Sequence, residues 1–185
     1  MPYWSSPKTW TTGELMAASS LNTYVRDQQL ALSTGELAEA AIGNLPGCKI
    51  GMVSDFTHNS SGNYLDLPCD AEGWDTDAMH DTATNNERII AKTAGRYLVY
   101  GCALFGGGAG TYRALSIYFS STAAAAPPAY VAPATSYVGL VVTEVFDMAV
   151  NDYVVLRAGQ DSGGSITIYT GGTRFGAEFL SARPA

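Results

Sequence analysis

The stretch "GRYLVYGCALF" (residues 95–105) decides the fold, because apolar side chains occupy both of its alternating sets of positions. Successive side chains of a strand point to opposite faces. The two sets are Tyr97, Val99, Ala103 and Phe105, and Leu98, Tyr100, Cys102 and Leu104. A strand with one solvated face should instead alternate apolar with polar residues. We therefore expect one face to fill a core and the other to meet another subunit; the alternative is a central strand covered by a long loop.

The stretch "TYRALSIYF" (residues 111–119) repeats this pattern, with tyrosines on the face opposite its Leu and Ile residues. Aromatic side chains are enriched in the cores of subunit interfaces. The two stretches together give a predicted self-association interface made of Tyr97, Tyr100, Tyr112 and Tyr118.

From Cys48 onward the apolar pattern has a period of two, and turn signals separate about nine short segments of this kind. This pattern predicts an antiparallel β-sandwich or jelly roll. The stretch "FGGGAG" (residues 105–110) is read as a loop between two strands, since it lacks the Lys and the helix of a phosphate-binding loop. Residues 120–136 hold Pro127, Pro128 and Pro133 and predict a long surface loop without regular structure.

The N-terminal part follows a different pattern. Residues 1–11 predict an extended arm with two large apolar anchors, Trp4 and Trp10. Apolar residues spaced by three, four and seven predict a helix from about Thr11 to Ser33. The predicted fold class is therefore mainly β, an antiparallel jelly-roll sandwich preceded by an extended arm and a short α-helix. We divide the chain into an attachment segment (residues 1–46) and a jelly-roll head (residues 47–185).

The composition excludes several classes of function. The net charge is −7 and no basic cluster is present, so the chain is a poor candidate for binding nucleic acid or an anionic membrane. The first residues lack the pattern of a signal peptide, and no apolar run has the length of a membrane span. Cys48, Cys69 and Cys102 form no metal-binding motif; we expect buried free thiols, with a Cys48–Cys69 bridge as the alternative.

Candidate chemistry is sparse. The stretch "WDTDAMHD" (residues 74–81) brings together the oxygen and nitrogen ligands Asp75, Asp77, His80 and Asp81, but the calcium-loop pattern is absent. A polar loop anchored by a buried Trp74 is the favoured interpretation. Neither this cluster nor His58 has the context of a catalytic site. We therefore predict no enzyme activity, no catalytic residues, no metal and no cofactor.

The order of the strand motifs resembles the trimeric jelly-roll domains of the complement-globular-head and tumour-necrosis-factor-like family. The motifs are "GRYLVYGCALF", "TYRALSIYF", "NDYVVLRAGQDSGG" and "TRFGAEFL", within residues 48–183. Jelly rolls of this family are typically homotrimers. The resemblance therefore implies a homotrimer in which the aromatic faces of three subunits meet on the axis.

The stretch "TWTTGELMAASSLNTYVRDQQLAL" (residues 9–32) is similar to a segment common near the start of tailed-bacteriophage virion proteins. Its matching residues are Trp10, Gly13, Glu14, Ala18, Leu21, Asn22, Val25, Arg26, Asp27 and Leu32. A small departure is Ala17 or Ala18, where Thr is frequent. The similarity implies a virion protein assembled in the bacterial cytoplasm and docked on other virion proteins. The residues assigned to attachment are Trp4, Trp10, Leu21, Asn22, Val25 and Arg26.

These patterns lead to one function and two alternatives. The first is a homotrimeric virion structural protein on the phage tail, in contact with the host surface. The second is a capsid decoration or head-fibre protein of the same architecture. The third is a module that binds a host glycan or receptor, for which Tyr130 and Tyr137 are the candidate contacts. All three act by association rather than by turnover.

Overall fold

The computed structural model describes residues 45–59, 61–120, 122, 124–125 and 127–182. These residues form strands and turns, and the part from Pro46 onward is one compact unit. The twelve strands are β1 (Gly47–Gly51), β2 (Phe56–His58), β3 (Tyr64–Asp66), β4 (Ala71–Asp75), β5 (Arg88–Ile90), β6 (Gly95–Gly106), β7 (Arg113–Phe119), β8 (Ala124–Ala125), β9 (Ala129–Val131), β10 (Tyr137–Met148), β11 (Tyr153–Gln160) and β12 (Ile166–Ala182).

The strands form two six-stranded sheets with antiparallel pairing. Sheet 1 has the order β10-β6-β12-β1-β4, and β2 also pairs with β12. Sheet 2 has the order β3-β11-β7-β8, with β5 added on β11 and β9 on β7. Neighbours within each sheet are mostly distant in the sequence, as in a jelly roll.

The core lies between the two sheets, where one face of each sheet is apolar. Along β6 the buried and half-buried residues alternate without interruption from Gly95 to Phe105. The large side chains that are fully buried include Tyr97, Phe105 and Phe175 from sheet 1 and Leu115, Ile117 and Leu156 from sheet 2. The set of β6 residues that fills the core is therefore Tyr97, Val99, Ala103 and Phe105, and it includes Tyr97, which was predicted from the sequence to lie in an interface.

The predicted fold class needs a correction. The described residues contain strands and turns but no helix, so the class that the structure supports is an all-β antiparallel sandwich. The helix predicted for residues 11–33 lies outside the described residues, as does the predicted arm. An amphipathic spacing favours a helix only where a second surface covers its apolar side, and the sequence does not identify that surface.

Several strand assignments also change. The motif "TRFGAEFL" is part of a longer strand, β12 (Ile166–Ala182), whose pairing with β6 has register shifts between Tyr169 and Arg174 and between Phe179 and Ser181. The loop predicted for residues 120–136 contains the short strands β8 and β9, which pair with β7. The predicted polar loop around Trp74 includes strand β4, and Trp74 is 38% exposed rather than buried. A pairing partner determines such short strands more than their own sequence does.

The three cysteines are free thiols, so the alternative of a Cys48–Cys69 bridge is not supported. Cys48 and Cys69 are fully buried, whereas Cys102 is half-buried on the outer side of β6. Among the described residues, no helix has the length and apolar character needed to cross a bilayer.

Candidate functional site

Part of the outer face of sheet 1, on β6 and β10, is rich in apolar residues where a solvated sheet face should be polar. We call it the sheet-1 outer face and define it by six residues of β6 and β10: Leu98, Tyr100, Cys102, Leu104, Val141 and Val145. The residues from β6 are half-buried, while Val141 is 70% exposed and Val145 is 44% exposed. Cross-strand pairing sets Val141 beside Cys102 and Val145 beside Leu98, so these side chains form one continuous surface.

Strand β12 borders this face and leaves room for its large side chains. Tyr100 pairs with Gly176, and its hydroxyl donates a hydrogen bond to Glu178 Oε1 at 3.4 Å. Burial raises the pKa of the Glu178 carboxyl, while the hydrogen bond from Tyr100 acts in the opposite direction. The absence of a side chain at residue 176 lets the Tyr100 ring lie against β12 instead of standing away from the sheet.

Polar and aromatic groups flank the two ends of the sheet-1 outer face. At one end Arg96 Nε donates to Asp147 Oδ1 at 3.0 Å across the β6–β10 pair. At the other end the rings of Tyr137 and Tyr169 pack edge to face, with centroids 5.2 Å apart. An apolar centre with a polar rim is the usual composition of a protein interface.

The structure separates the four tyrosines that the sequence grouped in one interface. Tyr97 is fully buried in the core, where its ring packs edge to face on Phe179 and its hydroxyl donates to the Thr93 carbonyl at 2.7 Å. Burial raises the pKa of Tyr97 to about 12. Tyr97 therefore offers no surface to a second copy. Alternation already puts Tyr97 and Tyr100 on opposite faces of β6, so one of them had to face the core, but it does not show which of the two apolar faces is turned outward.

Tyr118 lies on β7 of sheet 2 and Tyr112 directly precedes that strand, whereas Tyr100 lies on sheet 1. Tyr118 is covered by Arg157, whose guanidinium carbon is 3.9 Å from the ring centroid. Tyr112 packs edge to face against Tyr130. Of the four predicted tyrosines, Tyr100 alone belongs to the sheet-1 outer face.

The two candidate receptor contacts also lie apart. Tyr130 belongs to β9 of sheet 2, and Tyr137 begins β10 of sheet 1. Each is 60% exposed. The predicted attachment residues all lie outside the described residues: Trp4, Trp10, Leu21, Asn22, Val25 and Arg26.

The acidic cluster around His80 is engaged within the protein. The Asp75 carboxylate accepts hydrogen bonds from the backbone N–H groups of Asp77 and His80, at 3.1 and 2.9 Å. Asp81 likewise accepts from the N–H groups of Ala83 and Thr84, which lowers its pKa. Within the described part of the chain, no three such side chains converge as metal ligands would.

Sequence reasoning missed part of the sheet-1 outer face and a cleft on sheet 2. The interface predicted from the sequence does not include Val141 and Val145, which lie on β10. The cleft is lined by Tyr64, Ser116, Pro128, Tyr130 and Arg157, and its volume is about 240 Å³. Its residues come from four strands and a loop, so a local sequence pattern could not have grouped them.

Comparison with solved structures identifies the fold. The chain is similar to murine APRIL at pH 5.0, with a TM-score of 0.57, 11% identity, and coverage of 74% of this chain and 99% of that one. It is similar to the Eiger tumour necrosis factor of S. frugiperda, with a TM-score of 0.57, 12% identity, and coverage of 77% and 96%. It is also similar to the globular domain of a zebrafish complement 1qA protein, with a TM-score of 0.52, 12% identity, and coverage of 75% and 99%.

These similarities show that the described domain has the jelly-roll fold of tumour necrosis factors and complement 1q globular domains. The fold predicted for the C-terminal part of the chain is thereby confirmed. No family model matches the sequence, and no curated protein matches it.

Proposed function

We propose that this chain is a structural protein of a tailed-bacteriophage virion, in which three copies associate through the sheet-1 outer face. The apolar character of that face is the observation that carries the proposal. Exposed Val141 and Val145 lie beside half-buried Leu98, Tyr100 and Cys102. Burial of apolar surface is the main favourable contribution to association, and monomeric proteins rarely leave a large apolar patch in water.

The second copy is the proposed occupant of this face for two reasons. The jelly-roll fold resembles that of proteins that are typically homotrimers. In addition, the flanking Arg96–Asp147 pair is internally neutralised, so three identical copies can bring this rim together without strong charge repulsion. The phage assignment depends on the N-terminal motif, in which Trp10, Asn22 and Arg26 match virion proteins. Residues 1–46 would then fix the trimer to other virion proteins.

A pair of lysine substitutions tests the association. Val141→Lys places a charge at the more exposed of the two valines of the sheet-1 outer face, and Val53→Lys places the same charge at a valine of nearly equal exposure, 68%, outside it. By light scattering we expect a trimeric mass for the native chain and for Val53→Lys, and a monomeric mass for Val141→Lys. A monomeric native chain, or identical behaviour of the two variants, would contradict the proposal.

Electron microscopy tests the place of the protein in the particle. Antibodies raised against the purified chain should label the tail of the phage particles that carry it. Label over the head would favour the alternative of a capsid decoration or head-fibre protein. Absence of the chain from purified particles would exclude a virion role altogether.

A further inference from the structure

The cleft on the outer side of sheet 2 has a regular construction. The four strands β3, β11, β7 and β9 contribute one cross-strand row, in which Tyr64 pairs with Gly159, Gly159 with Ala114, and Ala114 with Tyr130. Small residues thus lie in the middle of the row and tyrosines at both ends. Because Gly159 has no side chain, the Tyr64 ring covers its backbone; a Cβ at residue 159 would be 3.1 Å from Cε1 of that ring.

Tyr64 and Tyr130 approach each other above the small residues Gly159 and Ala114. The Tyr64 hydroxyl donates a hydrogen bond to the Tyr130 hydroxyl at 3.0 Å. The ring of Tyr112 packs edge to face on Tyr130, with centroids 5.6 Å apart. Tyr130 is 60% exposed although two aromatic neighbours hold it in place. An exposed ring that is already fixed loses little conformational entropy when a ligand packs on it.

The neighbouring row supplies polar groups to the same cleft. Arg157 pairs with Asp66 on one side and with Ser116 on the other. Asp66 Oδ1 accepts from Arg157 Nε at 2.6 Å, and the guanidinium lies over the Tyr118 ring. These contacts fix the guanidinium through Nε and its face. Among the described residues, no hydrogen bond engages its two terminal NH₂ groups, which remain available as donors.

This set of groups matches a neutral sugar ring. A pyranose has an apolar C–H face, for which tyrosine rings are a suitable surface, and hydroxyls that both donate and accept. The Arg157 NH₂ groups can donate, and the hydroxyls of Ser116, Tyr64 and Tyr130 can donate or accept. An anionic ligand is disfavoured, because Asp66 neutralises Arg157 and the chain carries a net charge of −7.

We propose that the cleft formed by Tyr64, Ser116, Pro128, Tyr130 and Arg157 is a binding site for one neutral pyranose residue of a glycan. Its volume of about 240 Å³ suits a single ring, since sites for drug-sized ligands span about 300–1,000 Å³. The cleft lies on sheet 2 and the proposed association surface on sheet 1, so a trimer could present three such sites. Weak sites presented in this way gain avidity on a surface of repeated sugars.

Saturation-transfer NMR on the full chain tests this site. The probes are methyl glucopyranoside, methyl galactopyranoside and methyl N-acetylglucosaminide, with glucuronate as the acidic comparison. We expect a signal from at least one neutral probe. Tyr130→Ala should weaken its binding about tenfold or more, the effect of losing a central aromatic contact. Tyr137→Ala is the matched control, because Tyr137 has the same exposure but lies on the other sheet.

A second variant, Ser116→Val, fills the floor of the cleft without removing a tyrosine, and it should also weaken the signal of the neutral probe. No signal from any neutral probe, stronger binding of glucuronate, or equal losses in Tyr130→Ala and Tyr137→Ala would overturn the assignment. Val141→Lys distinguishes this inference from the proposed assembly. Val141→Lys should lower the mass of the protein in solution from that of a trimer to that of a monomer. The saturation-transfer signal of the neutral sugar should persist in the monomer.

Discussion

The Tyr100 ring lies directly over the Cα of Gly176, so that a Cβ at residue 176 would be 2.5 Å from both Cζ and Oη of Tyr100. Gly176→Ala must therefore push this ring outward from the sheet-1 outer face. We expect the proposed trimer to dissociate more readily and the free energy of unfolding to fall by about 1–3 kcal/mol. Light scattering over a dilution series and urea unfolding measure the two effects. Gly164→Ala, where a Cβ meets no atom within 4 Å, is the control and should change neither.

Tyr97→Phe tests whether Tyr97 acts in the core rather than in the interface. The substitution removes the hydrogen bond from the buried hydroxyl to the Thr93 carbonyl. A net loss of about 0.5–1.5 kcal/mol in the free energy of unfolding is expected. The mass in solution should not change, because Tyr97 has no exposed surface. A lower mass in solution for Tyr97→Phe would show instead that Tyr97 takes part in the association between copies.

The reactivity of the cysteines should report both folding and assembly. Burial raises the pKa of the Cys69 thiol to about 12, and burial also raises the pKa of Cys48, with a further contribution from the charge of Asp75. Neither thiol should react with iodoacetamide at neutral pH until the chain unfolds. Mass spectrometry after labelling identifies the modified positions.

Cys102 provides the comparison within the same experiment. It lies half-buried on the sheet-1 outer face, so a trimer should protect it and Val141→Lys should expose it. Equal labelling of Cys102 in the native chain and in Val141→Lys would show that this face is not covered by other copies.

Asp161 should contribute stability that depends on pH. Its carboxylate accepts hydrogen bonds from Thr111 Oγ1, from the Tyr112 N–H at 2.9 Å and from the Thr111 N–H at 2.7 Å. These bonds hold its pKa below the ordinary value of 3.8. The folded protein therefore binds the proton less readily than the unfolded chain. The contribution is complete above the unfolded pKa and is lost as the pH falls through the folded pKa.

Asp161→Asn removes this dependence while keeping the size of the side chain. We expect the variant to be less stable than the native chain at neutral pH, with the difference shrinking as the solution is acidified below about pH 4. Urea unfolding at a series of pH values measures the difference. A difference that stays constant from neutral to strongly acidic pH would rule out the carboxylate charge as its source.

The sequence predicted strands β6, β7, β10 and β11 but missed the short strands β2, β8 and β9, for a physical reason. Strands β6, β7, β10 and β11 have seven to twelve residues each and bury many apolar side chains, so their own sequences identify them. By contrast, β2, β8 and β9 have two or three residues each and depend on pairing with a neighbour. A local pattern contains no information about that neighbour.

The sites were less predictable than the strands. Apolar residues on both sides of β6 predicted an interface. In the structure, the side of β6 that faces away from the core is part of the sheet-1 outer face. The pattern could not show that Tyr97 faces the core while Tyr118 belongs to the other sheet. It also could not bring Tyr64 to Tyr130, because 66 positions separate them in the chain and their contact arises only from the order of strands in sheet 2.

Strand β12 lies in the interior of sheet 1, between β6 and β1, and it also pairs with β2. It is the last of the described strands to be synthesised. Until residue 182 has left the ribosome, β1, β2 and β6 lack their shared partner. Sheet 1 therefore cannot form completely until β12 has been translated. A chain that ends before β12 cannot reach the native sandwich fold. Chains whose synthesis stops before β12 should therefore be degraded and should not be incorporated into assemblies of complete chains.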